Sequence, residues 1–389
     1  MRRIKRRHRH RPTNNNRPPK QEDDDEEEEE HDQKPYILQL PVHIITEIFC
    51  KIPTKTLIQC KRVSKSWRCW FSDPQFTREL FSRTPASLWV TGHFLVDLDR
   101  IGSQSNVALQ LFSNLRALCM TVVGSCNGFL CHYDFNSDFT RHLHISNPVT
   151  CEFFSLPIPS NRDSGDCYGF GFSPISDVYK LVRVSSLGGE PDQVMVLTVG
   201  FGIWRNIGHP GYSFYRVNPR HGIYLNGVLH WIGRSCRDRS RRLICVFDVE
   251  SERFQELPLP LSSQNLRRTY FKLGILKGWL SVIHKVNDVI SVWVMKDYGV
   301  KESWTKENEF KKPVGSFVTS TMKFTEQGKV LGLHHNQLMA YTLATTSLVR
   351  VQVDGLPSWI SEAWELVPSF VSLKDIAGGL QHEGTICQS

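Results

Sequence analysis

Apolar and polar residues follow three different patterns along the chain, and each pattern predicts a different structure. Residues 40–76 place apolar side chains at helical spacing, whereas from about residue 85 the apolar residues form short runs separated by Gly, Pro, Asn and Asp. Residues 1–35 have no apolar period and consist of a basic stretch followed by an acidic one. We therefore predict a disordered tail over 1–35, a helical module over 36–80, a β domain over 85–365 and a frayed tail over 366–389.

The first predicted helix carries a wide apolar stripe. Its members recur on one helical face and are Ile44, Ile45, Ile48, Phe49 and Ile52. Leu40 and Pro41 precede the stripe, and a proline is tolerated at a helix start because its missing N–H is not needed there. Pro53 follows the stripe and is expected to end the helix, because proline cannot continue the backbone hydrogen bonding.

The segment after Pro53 predicts two further short helices. The second helix carries Leu57 and Val63, the third carries Trp67, and Asp73 with its following proline is expected to end the third. Three helices in so short a segment enclose too little apolar surface for an independent core. Two alternatives therefore stay open: the module is an N-terminal cap on the following domain, or a partner protein covers its surplus apolar surface.

The runs after residue 85 predict β-strands. They are short and rich in Val, Ile, Leu and aromatic residues, and they include GFLCHY, YKLVRV, VMVLTV, GVLHWI, LICVFDV, WLSVIH and VISVWVM. Turn residues join them, notably Asn127 with Gly128 and Asn226 with Gly227.

These strands recur with a period near 50 residues. The repeating frame is a glycine, then any residue, then an apolar residue, at Gly128, Gly227, Gly278 and Gly328, and the segment GFGFSPISDVYKLV from Gly169 fills the long first interval. About four short strands per period is typical of a β-propeller of the kelch-like kind. A two-sheet sandwich with accidental spacing is the alternative. The predicted fold is thus mainly β, a propeller-like domain behind a small N-terminal α module of three helices.

The composition limits which cellular compartments and which cysteine chemistry we expect for this protein. Of the 389 residues 40% are hydrophobic, which suffices for a sizeable core, but no run of 18 apolar residues is present, so no membrane partner is predicted. Because the N-terminus lacks the apolar stretch of a signal peptide, we expect the protein in the cytoplasm, the nucleus or both, with its 11 cysteines reduced. Cys126 and Cys131 have no second cysteine pair nearby, so we interpret them as buried strand cysteines rather than metal ligands.

Charge gives no argument for a nucleic-acid partner. The net charge of +8 belongs to the folded part, because the charges of the tail nearly cancel. Residues 2–11 form a basic run that is a candidate nuclear import signal. The alternative is a solvated tail in which the acidic half masks the charge of the basic half. A second basic cluster, which we interpret as an exposed loop between strands, contains Arg234, Arg237, Arg239, Arg241 and Arg242.

The pattern predicts no catalytic arrangement. The sequence motifs of phosphate-binding loops, nucleophile elbows and dinucleotide-binding sites do not occur between a predicted strand and a predicted helix. Asp248 and Glu250 flank a strand end, where they are expected to be solvated on one face of a turn. We therefore predict that the protein is not an enzyme and uses no cofactor.

The helical module resembles an F-box. The matching elements are Leu40-Pro41, Glu47-Ile48, Ile52-Pro53, the segment VSKSWR from Val63 and the segment DPQF from Asp73. The departure is His43, where many members carry an acidic residue that would suit a helix N-terminus. This resemblance implies docking onto the Skp-type adaptor of a cullin–RING (SCF) ubiquitin ligase. The side chains expected to contact the adaptor are Leu40, Pro41, Ile44, Ile45, Ile48, Phe49, Ile52, Pro53, Leu57, Val63 and Trp67.

The β domain resembles the F-box-associated domain, which follows the F-box in a large plant group. Over about residues 120–350 the similar segments include SCNGFLCH, YGFGFSPISDVYKLVRV and CVFDVESERFQELP, and the strongest is VWVMKDYG followed by ESW. The resemblance implies a substrate-binding domain but does not identify the substrate. We therefore predict a non-catalytic substrate receptor, which binds the adaptor through its helices and an unknown target protein through its β domain. The alternative is a propeller scaffold whose F-box-like segment has decayed, as His43 suggests.

Overall fold

The computed structural model describes residues 40–63, 65–90, 94–98, 108–111, 121–135, 141–158, 166–185, 192–214, 221–238, 240–260, 269–311, 322–324, 329–342, 345 and 347–377. The predicted disordered tail and the basic run at 2–11 lie outside these ranges. The described residues divide into two units, residues 40–45 and the described residues from 46 onward. In the first unit the amides of Ile44 and Ile45 donate to the carbonyl of Pro41, so the first helix starts directly after the proline.

Four helices precede the β domain: α1 (Val42–Cys50), α2 (Thr54–Val63), α3 (Lys65–Trp70) and α4 (Pro74–Arg83). The sequence predicts the first three, and α4 is an addition to the prediction. Asp73 caps α4 instead of only ending α3, since its Oδ1 accepts a hydrogen bond from the amide of Phe76 at 2.7 Å and Pro74 occupies the first turn. Asp73 can end α3 and also begin α4, because an Asp-Pro pair suits the start of a helix as well as the end of the preceding one.

Six antiparallel sheets follow, and each forms one blade. Blade 1 contains β1 (Ser87–Val90), β2 (Phe94–Asp97) and β3 (Leu109–Gln110). Blade 2 contains β4 (Thr121–Cys126), β5 (Phe129–Phe135), β6 (Arg141–Asn147) and β7 (Glu152–Leu156). Blade 3 contains β8 (Cys167–Ser173), β9 (Val178–Ser185), β10 (Gln193–Thr198) and β11 (Trp204–Gly208).

Blade 4 starts with two short strands that both pair with the third, and it contains β12 (Tyr212–Ser213), β13 (Ile223–Leu225), β14 (Val228–Ser235), β15 (Arg242–Asp248) and β16 (Arg253–Leu257). Blade 5 contains β17 (Thr269–Leu276), β18 (Trp279–Val286), β19 (Val289–Met295) and β20 (Trp304–Lys311). Blade 6 contains β21 (Met322–Phe324), β22 (Lys329–His334), β23 (Gln337–Thr342) and β24 (Ser347–Arg350).

The last strand among the described residues closes the ring. β25 (Ala363–Leu366) returns to blade 1 and pairs antiparallel with β1, with Ser87 opposite Leu366 and Val90 opposite Ala363. Blade 1 is therefore assembled from two distant parts of the chain, and this pairing closes the ring of blades. The predicted propeller-like fold behind a helical module is confirmed, and the two-sheet sandwich is excluded. The kelch-like detail stays a prediction.

The local patterns that predict strands and turns are present in the structure. All seven apolar runs lie in strands, namely β5, β9, β10, β14, β15, β18 and β19. Asn127 and Gly128 have φ of 49° and 83°, the left-handed pair that a two-residue hairpin turn requires. Gly169 differs, because it lies inside β8 where a Cβ would meet the Trp231 ring at 2.4 Å. The segment that begins at Gly169 does form blade 3 and so fills the long interval between Gly128 and Gly227. The glycine is needed there because the Trp231 ring approaches closely, and not because the chain turns. Gly328 lies outside the described residues.

Neighbouring blades share their cores. Val196 of blade 3, Trp231 and Phe247 of blade 4 and Leu280 of blade 5 belong to one cluster of buried side chains, and each is at most 1% exposed. Middle strands are therefore apolar on both faces, which explains why their sequences are continuous apolar runs instead of alternating ones.

Several smaller predictions can be compared with the structure. Cys126 and Cys131 are buried in β4 and β5, as expected of strand cysteines, and no group of metal-ligating side chains occurs among the described residues. Arg237 and Arg241 lie in the exposed β14–β15 connection as predicted, whereas Arg234 and Arg242 are half-buried in the strands β14 and β15. Arg239 is outside the described part. In the portion of the chain that the structure describes, no helix is both long and apolar enough to cross a membrane.

The prediction of a frayed tail over 366–389 is wrong for residues 366–377. Leu366 lies in β25, Phe370 is 4% exposed and Leu373 is fully buried. The short helix α5 (Lys374–Ala377) ends the described chain. We call residues 367–376 the C-terminal strap. It shows no apolar period because an irregular segment with isolated anchoring side chains leads into only the first residues of α5.

Candidate functional site

The helical module is built around one aromatic side chain. Phe49 of α1 contacts the rings of Trp67, Phe71 and Phe76 edge to face, with centroids 5.3, 5.4 and 5.7 Å away. Edge-to-face packing of this kind adds to the stabilisation from burial. The three short helices after α1 are thereby joined to it through a compact aromatic cluster.

The apolar residues predicted to contact a partner divide into two groups by their exposure. Leu40 and Ile44 are each 39% exposed, and Pro41 and Pro53 are exposed as well. Ile48, Ile52 and Trp67 are half-buried. These seven side chains therefore present apolar surface, whereas the side chain of Val63, at the end of α2, lies outside the described part.

The predicted contact surface must be corrected at three positions, Ile45, Phe49 and Leu57. They are 0%, 2% and 2% exposed, so they belong to the interior of the chain and offer no surface to a partner. The helical stripe is wider than one interface, and its two edges face different surroundings. Sequence spacing identifies the stripe but not which edge of it the fold covers.

The C-terminal strap attaches this module to the propeller. Phe370 packs on Phe71 of the module with ring centroids 4.8 Å apart. On its other side the strap is held by Asn147, at the end of β6, whose Nδ2 donates to the carbonyls of Ser369 and Val371 at 3.0 and 2.7 Å. The sequence analysis missed these residues, because backbone carbonyls bound by a buried amide leave no hydrophobic pattern.

Two further contacts fix the strap on blade 2. The Glu152 carboxylate, at the start of β7, accepts hydrogen bonds from the Ser372 hydroxyl and from the amide of Leu373, the latter at 2.7 Å. Gly128 lies against Ser369, and a Cβ at this position would be 2.2 Å from the Ser369 Cβ. The glycine at the β4–β5 turn is therefore needed for two reasons: its φ of 83° and the close approach of the strap.

Comparison with known proteins accounts for both parts of the chain. An F-box domain model matches residues 37–79. A model described as the F-box associated beta propeller domain matches residues 94–360, more than half of the chain. The chain belongs to this F-box-associated propeller family. Residues 37–79 cover α1 and most of α4, so the F-box includes the fourth helix that the sequence pattern alone did not predict.

Curated relatives from Arabidopsis thaliana are similar to most of the chain. The chain is 29% identical over 321 residues to F-box protein At3g07870, covering 73% of this chain and 74% of the relative. It is 27% identical over 379 residues to F-box protein CPR1, covering 86% and 89%. It is 29% identical over 294 residues to F-box/kelch-repeat protein At3g23880, covering 69% and 78%. These similarities support the predicted relationship to plant F-box proteins.

Helix α4 also borders a cavity between the inner strands of the propeller. Phe81 of α4 contributes to its lining, and the cavity has a volume of about 370 Å³. His221 and Trp364 line it with their rings 4.4 Å apart. Burial lowers the pKa of His221 to about 3 and that of Lys272 to about 7. The same burial raises the pKa of the lining Glu362, so the cavity favours neutral forms of the ionisable groups around it.

Asp248 and Glu250 are structural residues in this F-box-associated propeller. The Oδ1 of Asp248 accepts hydrogen bonds from the amide and hydroxyl of Ser251 in the β15–β16 turn. Glu250 accepts hydrogen bonds from the hydroxyls of Ser173 and Ser176 on blade 3, and these bonds hold its pKa below the ordinary range. Both carboxylates thus stabilise turns at the predicted strand end, but they are half-buried and hydrogen-bonded and not solvated as predicted.

Proposed function

We propose that the protein is the substrate-recognition subunit of an SCF-type (Skp–cullin–F-box) E3 ubiquitin ligase. The supporting observation is the F-box over residues 37–79, which keeps apolar side chains such as Leu40 and Ile44 exposed although its aromatic core is complete. Exposed apolar side chains beside a finished core are typical of a protein-binding surface. The F-box would bind the Skp-type adaptor, and the propeller would hold the target protein.

The proposed contribution of this chain to ubiquitin transfer is proximity. The strap contacts Phe71 through Phe370 and blade 2 through Asn147, so the F-box core and the propeller are held together by buried contacts. A target bound to the propeller is then presented at a fixed position relative to the adaptor, and such positioning lowers the entropic cost of the transfer step. The chemistry itself would be supplied by other subunits of the ligase.

Adaptor binding is tested by co-expressing the full chain with a Skp-type adaptor from Arabidopsis thaliana and measuring co-purification and affinity. Ile48→Asp should weaken binding by at least about 100-fold, because a carboxylate buried in an apolar interface costs several kcal/mol. Leu40→Ala combined with Pro41→Ala should weaken it as well, through lost contacts and a poorer helix start. Gln59→Asp is the matched control, since Gln59 is an exposed residue of α2.

The outcome separates the proposal from its alternative. If the wild-type chain does not bind the adaptor, while thermal melting shows that it is folded, the alternative of a propeller scaffold with a degenerate F-box gains support. If Ile48→Asp and the Gln59→Asp control bind equally well, the adaptor does not use the proposed side chains.

We also propose that the protein acts in the nucleus, the cytoplasm or both. The supporting observation is the basic run at residues 2–11. A fluorescent fusion of the full chain should lose nuclear signal when the arginines of this run are replaced by serines, and an unchanged distribution would contradict the import signal.

A further inference from the structure

The most exposed large apolar side chains among the described residues lie on blade 3. Ile175 is 81%, Phe201 74% and Ile203 70% exposed, against 58% for Val349 and 57% for Trp359. We call Ile175, Phe201 and Ile203 the blade 3 patch. Isolated exposed apolar residues are common on proteins, but a group of three large ones on one blade marks an interaction surface.

The strand pairing places the three side chains at one end of the blade. Ile175 lies in the β8–β9 turn, just before β9 starts, and Phe201 and Ile203 lie in the β10–β11 turn, just after β10 ends. β9 and β10 are antiparallel neighbours with Lys180 opposite Thr198. The two turns therefore leave the sheet side by side at the same rim.

Contacts to blade 4 hold these turns in place. Ser176, next to Ile175, donates its hydroxyl to the Glu250 carboxylate at 2.7 Å. Lys180 of β9 and Arg205 of β11 both form ion pairs with Glu252, at 2.9 and 2.7 Å. The patch is thus displayed on anchored turns, and a rigid surface loses less conformational entropy on binding than a mobile one.

The charges next to the patch indicate the chemistry of its partner. Lys180 and Arg205 are engaged by Glu252, and Arg253 lies opposite Asp248 in the β15–β16 register.

Two further carboxylates flank Ile175 directly. Asp177 is exposed two residues later, and Glu250 is bonded to the intervening Ser176. Lys180 also acts on Glu250, but its side chain is only 9% exposed and is paired with Glu252, whereas Asp177 is exposed. The exposed charge directly beside Ile175 is therefore negative, which favours lysine or arginine on the segment that covers it.

We propose that the blade 3 patch is the docking surface for the protein substrate, and that it binds a segment whose apolar side chains are flanked by Lys or Arg. This inference rests on the proposed function, because it assigns the target-binding role of the propeller to particular residues. It also places the substrate on the same face of the ring as the strap, since Ile175 and the strap contact Gly128 both lie in turns between the first two strands of a blade.

The test is a display selection with random peptides against the full chain, without adaptor. Peptides enriched by the wild-type chain should contain apolar residues flanked by Lys or Arg. Phe201→Asp should weaken the binding of a selected, fluorescently labelled peptide by at least about 30-fold, as expected of a central apolar contact. Asp177→Asn should weaken it by about two- to five-fold, since it removes one rim charge and asparagine tolerates the φ of 54° at this position.

Val349→Asp on β24 is the matched control, because it introduces the same charge at an exposed apolar residue of blade 6. Equal binding by wild type and Phe201→Asp, or enrichment of peptides with acidic flanks, would overturn the proposal. Sedimentation supplies the other decisive outcome: a wild-type dimer that Phe201→Asp converts to a monomer would show that a second copy covers the patch. Adaptor co-purification is measured on the same variants, so failure here is distinguishable from failure of the proposed function.

Discussion

Asn147 provides a sharp test of how the strap is attached. Its side chain is fully buried, and its Oδ1 accepts hydrogen bonds from the amides of Val149 and Thr150 at 2.9 and 3.3 Å. Its Nδ2 binds the carbonyls of Ser369 and Val371. One amide group thus completes a turn with its oxygen and holds the strap with its nitrogen.

The expected cost follows from the groups left without partners. Asn147→Ala removes all four bonds, and the Ser369 carbonyl and Val149 amide belong to residues that are at most 5% exposed. Each buried group that loses its partner costs about 1–3 kcal/mol. Only the Ser369 carbonyl belongs to the strap, so the free energy needed to release the strap should fall by about 1–3 kcal/mol, whereas the unpaired Val149 amide destabilises the turn itself. Asn147→Asp should be at least as harmful, because it places an oxygen against two carbonyl oxygens.

Hydrogen exchange followed by mass spectrometry measures this opening in the native protein. Peptides from residues 366–377 should exchange much faster in both Asn147 variants, while peptides from blade 5 should not change. Asn206→Ala is the control, since its side chain also accepts a turn amide, that of Gly208 at 2.8 Å, but at an exposed site. Wild-type protection of the strap in Asn147→Asp would refute the assignment of the Nδ2 bonds.

Three further predictions concern pH, the F-box and its autonomy. Burial lowers the pKa of His230 to about 4, so the folded state keeps the ring neutral while the unfolded chain takes up a proton below about pH 6.5. The free energy of unfolding should therefore fall by up to about 3 kcal/mol as the pH drops from 6.5 to 4. Melting curves of His230→Gln should show a shallower pH dependence than those of the wild type or of a variant at the exposed His209. His43→Asp should tighten adaptor binding by about two- to five-fold in titration calorimetry, because α1 has no acidic residue in its first turn; weaker binding would mean that His43 makes its own contact. The isolated fragment 36–80 should not melt cooperatively in circular dichroism, because Phe71 loses Phe370 and α4 loses its last turn; a sharp monomeric melt would show that the F-box needs neither the strap nor a partner.

The sequence predicts those features that depend on neighbouring residues. Strands and hairpin turns follow from apolar runs and from pairs such as Asn127-Gly128, whose conformation is set locally. The resemblance of the F-box segment likewise predicts its surface, in particular Ile44 and Ile48. What sequence spacing does not give is the distinction between Ile48 and Phe49, because burial depends on aromatic partners that lie far along the chain.

Other features were missed because they depend on distant backbone groups. The strap has only isolated anchors such as Phe370 and Leu373, and its hydrogen bonds come from Asn147 and Glu152. No periodic pattern marks such a segment, so it resembles a tail. The blade 3 patch is similarly concealed, since Phe201 stands between strand-like runs and only the pairing of β9 with β10 shows that it lies in a turn.

The pairing of β25 with β1 also determines when this protein becomes complete during its synthesis. The ribosome releases β1 early, but its inner neighbour is among the last strands to be translated. Until then the nascent chain carries an open sheet edge in blade 1 and an F-box that lacks Phe370, and exposed edges of this kind promote aggregation and attract chaperones. A message with a stop codon in the region of blade 6 would therefore yield a product with both defects at once, and only chains translated through the strap would carry a closed ring with an attached F-box.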